Sequence, residues 1–104
     1  MAKLTDREEM ERKDILVQHY ALDLGKNLRS HRKAQKRTQE EVAENLGTKH
    51  ARVSNIENGL VDARLSDIVK IARVLGVDPG ALLDFSLRTL DDFPEEHPNG
   101  HVRP

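Results

Sequence analysis

Thr38 followed three residues later by Glu41 is the pattern of a capping box, in which each side chain bonds a backbone N–H that the start of a helix leaves free. Gly47 stands six residues beyond, where a residue able to take positive φ closes a helix. Between them "QEEVAENL" holds little more than two turns, with Val42, Ala43 and Leu46 on one face. The chain restarts at once: Thr48 is placed to cap a second helix, 49–57, which Gly59 ends. Helices this short do not hold in water by themselves, because nucleation costs more than two turns return. They must pack on each other and on a core from the rest of the chain, and their tight connection through Gly47 is a helix-turn-helix.

The second of these helices puts its polar residues on an unusual side. At about 100° per residue, Val53 and Ile56 share one face, while Ala51, Ser54 and Asn55 fall opposite, flanked by His50 and Asn58. The apolar pair anchors the helix and fixes which side points outward. That outward side is small and able to hydrogen-bond.

Elsewhere the apolar spacing is helical too, and no alternating run of useful length suggests a strand, so the expected fold class is all-α. Thr5 with Glu8 is a further capping box, opening a helix in which Met10, Val17, Ala21, Leu24 and Leu28 recur on one side. Gly25 is a weak point within it, where the helix could be interrupted. After the loop "LVDAR", Leu65, Ile68, Ala72 and Leu75 mark a helix that Gly76 ends. Asp78 and Pro79 then read as N-cap and first position of a last helix, carrying Leu82 and Leu83 and extending toward Leu87 and Leu90. From Asp91, "DDFPEEHPNGHVRP" has three prolines and little to bury, which predicts a disordered tail. The expected organisation is an N-terminal helical extension over 1–22, a domain over 23–90 and a tail over 91–104.

A chain of 104 residues makes one domain with a small core. It has no cysteine, its charged N-terminus is unlike a signal peptide, and no apolar run approaches a membrane span, so a cytoplasmic protein with no membrane association is expected. The net charge of −1 hides an uneven distribution: residues 24–83 carry eleven basic against seven acidic side chains, and both ends are acidic. Within that middle, "KNLRSHRKAQKR" (26–37) holds six Lys or Arg and no acid, so Lys26, Arg29, Lys33, Lys36 and Arg37 are candidate phosphate contacts, the alternative being a solvated helix face. His97 and His101 have a spacing compatible with a metal, but they lie in the tail without carboxylate or thiol company, so no metal site and no cofactor are expected. With no strand-borne phosphate loop and no nucleophile–base pair, the chain does not read as an enzyme.

"TQEEVAENLGTKHARVSNIENG" resembles the signature of the Cro and lambda-repressor-like DNA-binding domains, the Xre family. The flanks "LGKNLRSHRKAQKR" and "LSDIVKIARVLGVDPGALL" are similar to that family's first helix and to its fourth and fifth. The resemblance spans roughly 24–84 and implies a five-helix domain that binds double-stranded DNA and regulates transcription, as a repressor in the expected reading. It places base reading on His50, Ala51 and Asn55, with Lys49, Arg52 and Ser54 able to reach bases or phosphates. Phosphate contacts map to Gln39, Asn58 and Arg64, joined by Lys36 and Arg37 from the basic run. Arg32 lies one turn after Leu28 on the inward side; its residue type leaves a phosphate contact open, whereas the resemblance implies a structural ion pair with Glu57. Leu60, Asp62 and Ala63 depart from the family's pattern and weaken the expected phosphate grip of their loop.

Outside the resemblance, Phe85, Leu87, Leu90 and Phe93 follow the last helix among acids. They mark a candidate homodimer interface built mainly by residues 79–93, with Phe85, Leu87 and Leu90 in it, Phe85 as the residue to test and the N-terminal helix as competitor, which would put two recognition helices on a palindromic site. A second class of function is an antitoxin-type interaction module, in which the acidic extension wraps a toxin and the helix-turn-helix autoregulates.

Overall fold

The structure, a computed structural model, describes the backbone of residues 6–89 and of Asp92, with side chains from Asp14 onward. It is all-α: helices α1 (Asp6–Ala34), α2 (Gln39–Leu46), α3 (His50–Glu57), α4 (Leu65–Leu75) and α5 (Pro79–Leu82) follow in order, with no strand among the described residues. The Thr5 box, Leu90, Phe93 and all of the tail except Asp92 lie outside the described side chains.

At α2 the expected cap is present in both directions. The Thr38 hydroxyl accepts the Glu41 N–H and the Glu41 carboxylate accepts the Thr38 N–H, each at 3.1 Å. Thr48, expected to cap the next helix, does something else. Its N–H donates to Ala43 O at 3.0 Å, the closing bond of α2 around the left-handed Gly47, so Lys49 is the N-cap of α3 and the helix starts at His50. The same closure ends α1, α3 and α4, through Arg37 N–H to Arg32 O, Leu60 N–H to Asn55 O and Val77 N–H to Ala72 O. In α1 the left-handed position is held by Lys36, at φ 56°, rather than by a glycine.

The core takes Leu24 and Leu28 from α1, Val42 and Ala43 from α2, Val53 and Ile56 from α3, Ile68, Ile71, Ala72 and Leu75 from α4, and Leu82 from α5. Ala43 is buried where α2 packs against its neighbours, and a larger side chain there would push them apart. Leu65, expected on the buried stripe of α4, is 72% exposed, since the stripe begins one turn later and Ile71 completes it.

The last helix is shorter than its apolar spacing predicts. It ends at Leu82, Leu83 is 41% exposed, and the following residues leave helical geometry and run back along α1. Asn27 Nδ2 donates to Leu82 O at 2.9 Å and to Asp84 O at 3.2 Å. Arg88 makes a two-pronged pair with Asp23, 2.9 Å on each arm, which holds the Asp23 carboxyl below its ordinary range. The Tyr20 hydroxyl accepts the Arg88 N–H at 2.7 Å, and its ring meets Phe85 at 5.4 Å between centroids. This strap, 84–89, lies where further helix was expected.

Gly25 does not break α1. A Cβ built on it would sit 2.6 Å from Ile56 O and closer still to Glu57 O, so the glycine marks where α1 crosses the end of α3 backbone against backbone. Replacing Gly25 with Ala should therefore destabilise the protein by about 2 kcal/mol, because overpacking against fixed carbonyls outweighs the roughly 1 kcal/mol that alanine gains in helix propensity. Urea denaturation measures this. An unchanged or raised midpoint would mean that the helices do not approach so closely.

Candidate nucleic-acid interface

α3 is fixed from behind by two kinds of contact. Val53 and Ile56 are buried in the core, and Glu57, the last residue of the helix, is only 3% exposed although it is an acid. Its carboxylate is filled with donors. Arg32 Nε donates to Oε2 at 2.6 Å and Arg32 Nη2 to Oε1 at 2.9 Å, while Gln39 Nε2 and Arg29 Nε reach Oε1 at 3.0 and 3.2 Å. Burial opposes the charged form of Glu57, but the hydrogen bonds from Arg32, Gln39 and Arg29 outweigh it and hold the carboxyl below its ordinary range. The Glu57 hydrogen bonds in turn raise Arg32 above its usual value. Arg32 also donates to Arg37 O at 2.8 Å, so one guanidinium ties together α1, the α1–α2 turn and α3.

The opposite face of α3 is open. His50 and Ala51 are exposed, Ser54 and Asn55 are half-buried, and Lys49 and Asn58 are exposed at the two ends. His50 Nε2 lies 2.7 Å from Gln39 Oε1, so the side chain of Gln39 spans from the buried Glu57 to the exposed His50. Gln39, mapped from the sequence as a phosphate contact, is thus also the link between the two sides of α3. Asn58 is drawn to the same hub, accepting from Arg29 Nη2 at 3.0 Å.

Three basic residues from the sequence reading have partners within the fold. Arg52, placed among the base or phosphate contacts, pairs with Asp67 at 2.7 Å on the side of α3 that faces α4. Asp67 also accepts the Arg64 N–H that starts α4; burial disfavours its charge, and these donors more than offset that, leaving its carboxyl below the ordinary range. Arg37 donates to Val74 O at 2.7 Å, beside Gln35, which donates to Leu75 O at 2.6 Å, so both serve the last turn of α4. Arg29, taken for a phosphate candidate, bonds Glu57. The basic run therefore divides: Arg29, Arg32 and Arg37 work inside the protein, whereas Lys26, Lys33 and Lys36 are exposed. Their residue type hinted at this, since a guanidinium suits bidentate internal pairs better than an ammonium does.

Residues 28–82, which include α2 and α3, match the helix-turn-helix family model. The chain belongs to the Cro/C1-type helix-turn-helix family. Among solved structures it is similar to the restriction-modification controller protein C.AhdI from Aeromonas hydrophila, at 31% identity and a TM-score of 0.58 over 60% of this chain and 94% of that one. It is likewise similar to a hypothetical transcription factor, NHTF, from Neisseria, at 31% identity and a TM-score of 0.61 over 80% of this chain and 84% of that one. No curated protein matches it significantly. As a member of this helix-turn-helix family the protein is a DNA-binding transcriptional regulator. No helix among the described residues is long and apolar enough to cross a membrane.

Because the folded-state value of Glu57 is depressed, its ionised form stabilises the fold fully above its ordinary value of 4.5, and this contribution disappears as pH falls through the lower folded value. Glu57→Gln should cost about 3–5 kcal/mol at neutral pH, since it strands the Arg32 charge in a buried place. The difference between native protein and variant should narrow as pH is lowered to about 3, below the ordinary carboxylate range. Urea titrations at the two pH values read it. A gap of equal size at both would remove the ion pair from its proposed role.

Proposed function

We propose that the protein is a sequence-specific transcriptional repressor that binds a palindromic site in double-stranded DNA as a homodimer, with α3 in the major groove. The observation that carries this reading is the two-sidedness of α3: its inner side is immobilised by the core and by Glu57, and its outer side offers His50, Ala51, Ser54 and Asn55. A rigidly held helix can aim short side chains at base edges. Asn55 suits the bidentate edge of adenine, and Ala51 suits a thymine methyl. Lys49, Lys33, Lys36 and Arg64 supply phosphate contacts, with Gln39 and Asn58 at the helix ends. Arg52 and Arg37 reach phosphates only by leaving Asp67 and Val74, so they contribute less. The names of the two similar proteins, a restriction-modification controller and a transcription factor, support a role in control of transcription. This role fits a cytoplasmic location.

For the homodimer, the structure changes which residue is the better probe. Phe85 is half-buried against Tyr20 and the core, so it helps to hold the strap in place. Leu87 is 86% exposed on that strap, in reach of a partner without any cost to the fold. The proposed interface is built around Leu87, with Phe85 supporting it and Leu90 beyond it in the chain.

Two outcomes are expected. Asn55→Ala should weaken binding to the cognate site, found by selection from random DNA, by about 1–3 kcal/mol while leaving binding to random DNA nearly unchanged. Equal losses on both DNAs would take Asn55 out of the base contacts. Leu87→Glu should yield a folded monomer by light scattering, with most operator affinity lost. A dimer that persists in this variant would move the interface to the N-terminal part of α1.

A further inference from the structure

A pocket of about 220 Å³ lies where the α2–α3 turn, α3 and α4 meet. Its floor is apolar: Ile56 and Ile71 are buried in the core, and Leu46 packs against that core. Its rim is charged, with Arg52 from α3 and with Asp67 and Lys70 from α4. Arg52 Nη2 and the Arg64 N–H both bond Asp67 at Oδ2, at 2.7 and 2.9 Å, which leaves Oδ1 for a further donor. Lys70 is exposed, and no described group bonds it. It stands three residues after Asp67, where side chains on a helix are neighbours, yet the ion pair of Asp67 is with Arg52. An acceptor and a donor thus flank one apolar floor without using each other.

We propose that this pocket is a binding site for a small apolar α-amino acid of the size of valine or leucine. The ammonium of the ligand donates to Asp67 Oδ1, its carboxylate accepts from Lys70 Nζ and from Arg52, and its side chain covers Leu46, Ile56 and Ile71. Arg52 can take part without leaving Asp67, since a guanidinium carries five N–H groups and that ion pair uses Nη2. Charge and size both select this class. A carboxylate alone meets Asp67 and an amine alone meets Arg52 and Lys70, so each sets one favourable contact against a like charge. At about 30 Å³ for each water-sized group the pocket holds about seven non-hydrogen atoms, close to the size of these two amino acids. A ligand here braces α3 against α4, whereas the bonds of Glu57 hold α3 to α1 and to the start of α2. The site does not depend on the base-reading role proposed for α3, because its occupancy is read without DNA.

The test is a titration of the full chain, labelled with nitrogen-15, with L-leucine at about pH 7, where α-amino and α-carboxyl groups are both charged. The amide resonances of Gly47, Thr48, Arg52 and Lys70 should shift together and saturate, with a Kd of about 1 mM, as suits a ligand of so few atoms. Isocaproate, which lacks the ammonium, and isopentylamine, which lacks the carboxylate, should each bind about fivefold more weakly, as loss of one charged contact at an open rim does. Glycine, with nothing to cover the floor, should bind about tenfold more weakly or worse. Lys70→Met alters an exposed side chain that no described group bonds, so the unfolding midpoint should stay where it is. The variant should bind leucine about fivefold more weakly and isopentylamine no more weakly than the native chain does. Shifts that fail to saturate by about 20 mM leucine, or that saturate at residues away from this pocket, overturn the proposal. So does either truncated analogue binding as tightly as leucine, or a folded Lys70→Met variant that binds leucine like the native chain.

Discussion

The carboxylate of Glu57 is the group on which the arrangement of the other helices depends. A two-turn helix contributes little stability of its own, and the apolar contacts of Val53 and Ile56 decide which face turns to the core but, being non-directional, set its angle less sharply. Hydrogen bonds are directional. The paired bonds from Arg32, at 2.6 and 2.9 Å, orient the end of α3 relative to α1, and Gln39 does the same relative to the start of α2. A buried ion pair is poor evidence of net stabilisation, because desolvation consumes much of what the pair gains. What it supplies here is angle: the outer residues of α3 can act together only if the helix presents them in one orientation.

That pair also sets demands on α1. Gly25, Leu28, Arg29 and Arg32 recur at helical spacing on the face of α1 that meets α3, and each has a distinct task. Gly25 lets the backbones touch, Leu28 fills the core, and the two arginines reach Glu57. Tyr20, Asp23 and Asn27 form a second face of the same helix, which the strap 84–89 covers through Arg88 and Phe85. α1 is thus the spine of the molecule. It holds α3 on one side and the chain's return segment on the other.

The parts of this fold that were legible in the sequence are those governed by local chemistry. The Thr38–Glu41 box and the glycines at 47, 59 and 76 mark helix ends because their reasons lie within a few residues. Val53 and Ile56 are buried as their spacing predicts, and the Arg32–Glu57 pair is present where the family resemblance implied it. The parts that were not legible depend on partners distant in the chain. Gly25 reads as a weakness in α1 until the carbonyls of Ile56 and Glu57 are seen against it. The apolar spacing of Leu83, Leu87 and Leu90 suggests a helix, yet Asn27, Tyr20 and Asp23 draw the following backbone into a strap. Nothing near Leu83 announces those three residues. Lys36 stops α1 in the left-handed conformation without the glycine that would have signalled it.

The same distinction between local type and distant partner resolves the charge of the protein. A net charge of −1 is an odd property for a chain that binds a polyanion, and the basic run at 26–37 was the natural compensation. Half of that run is spent on structure: Arg29 and Arg32 satisfy Glu57, and Arg37 takes a carbonyl of α4. The exposed lysines at 26, 33 and 36 remain, with Lys49 at the start of α3. Attraction by so few charges is short in range at physiological salt, where the Debye length is about 8 Å. On the proposed reading, discrimination then comes from contacts at the base edges, which are useful only if α3 does not turn. The arginines that the basic run gives up to Glu57 help to prevent it from turning.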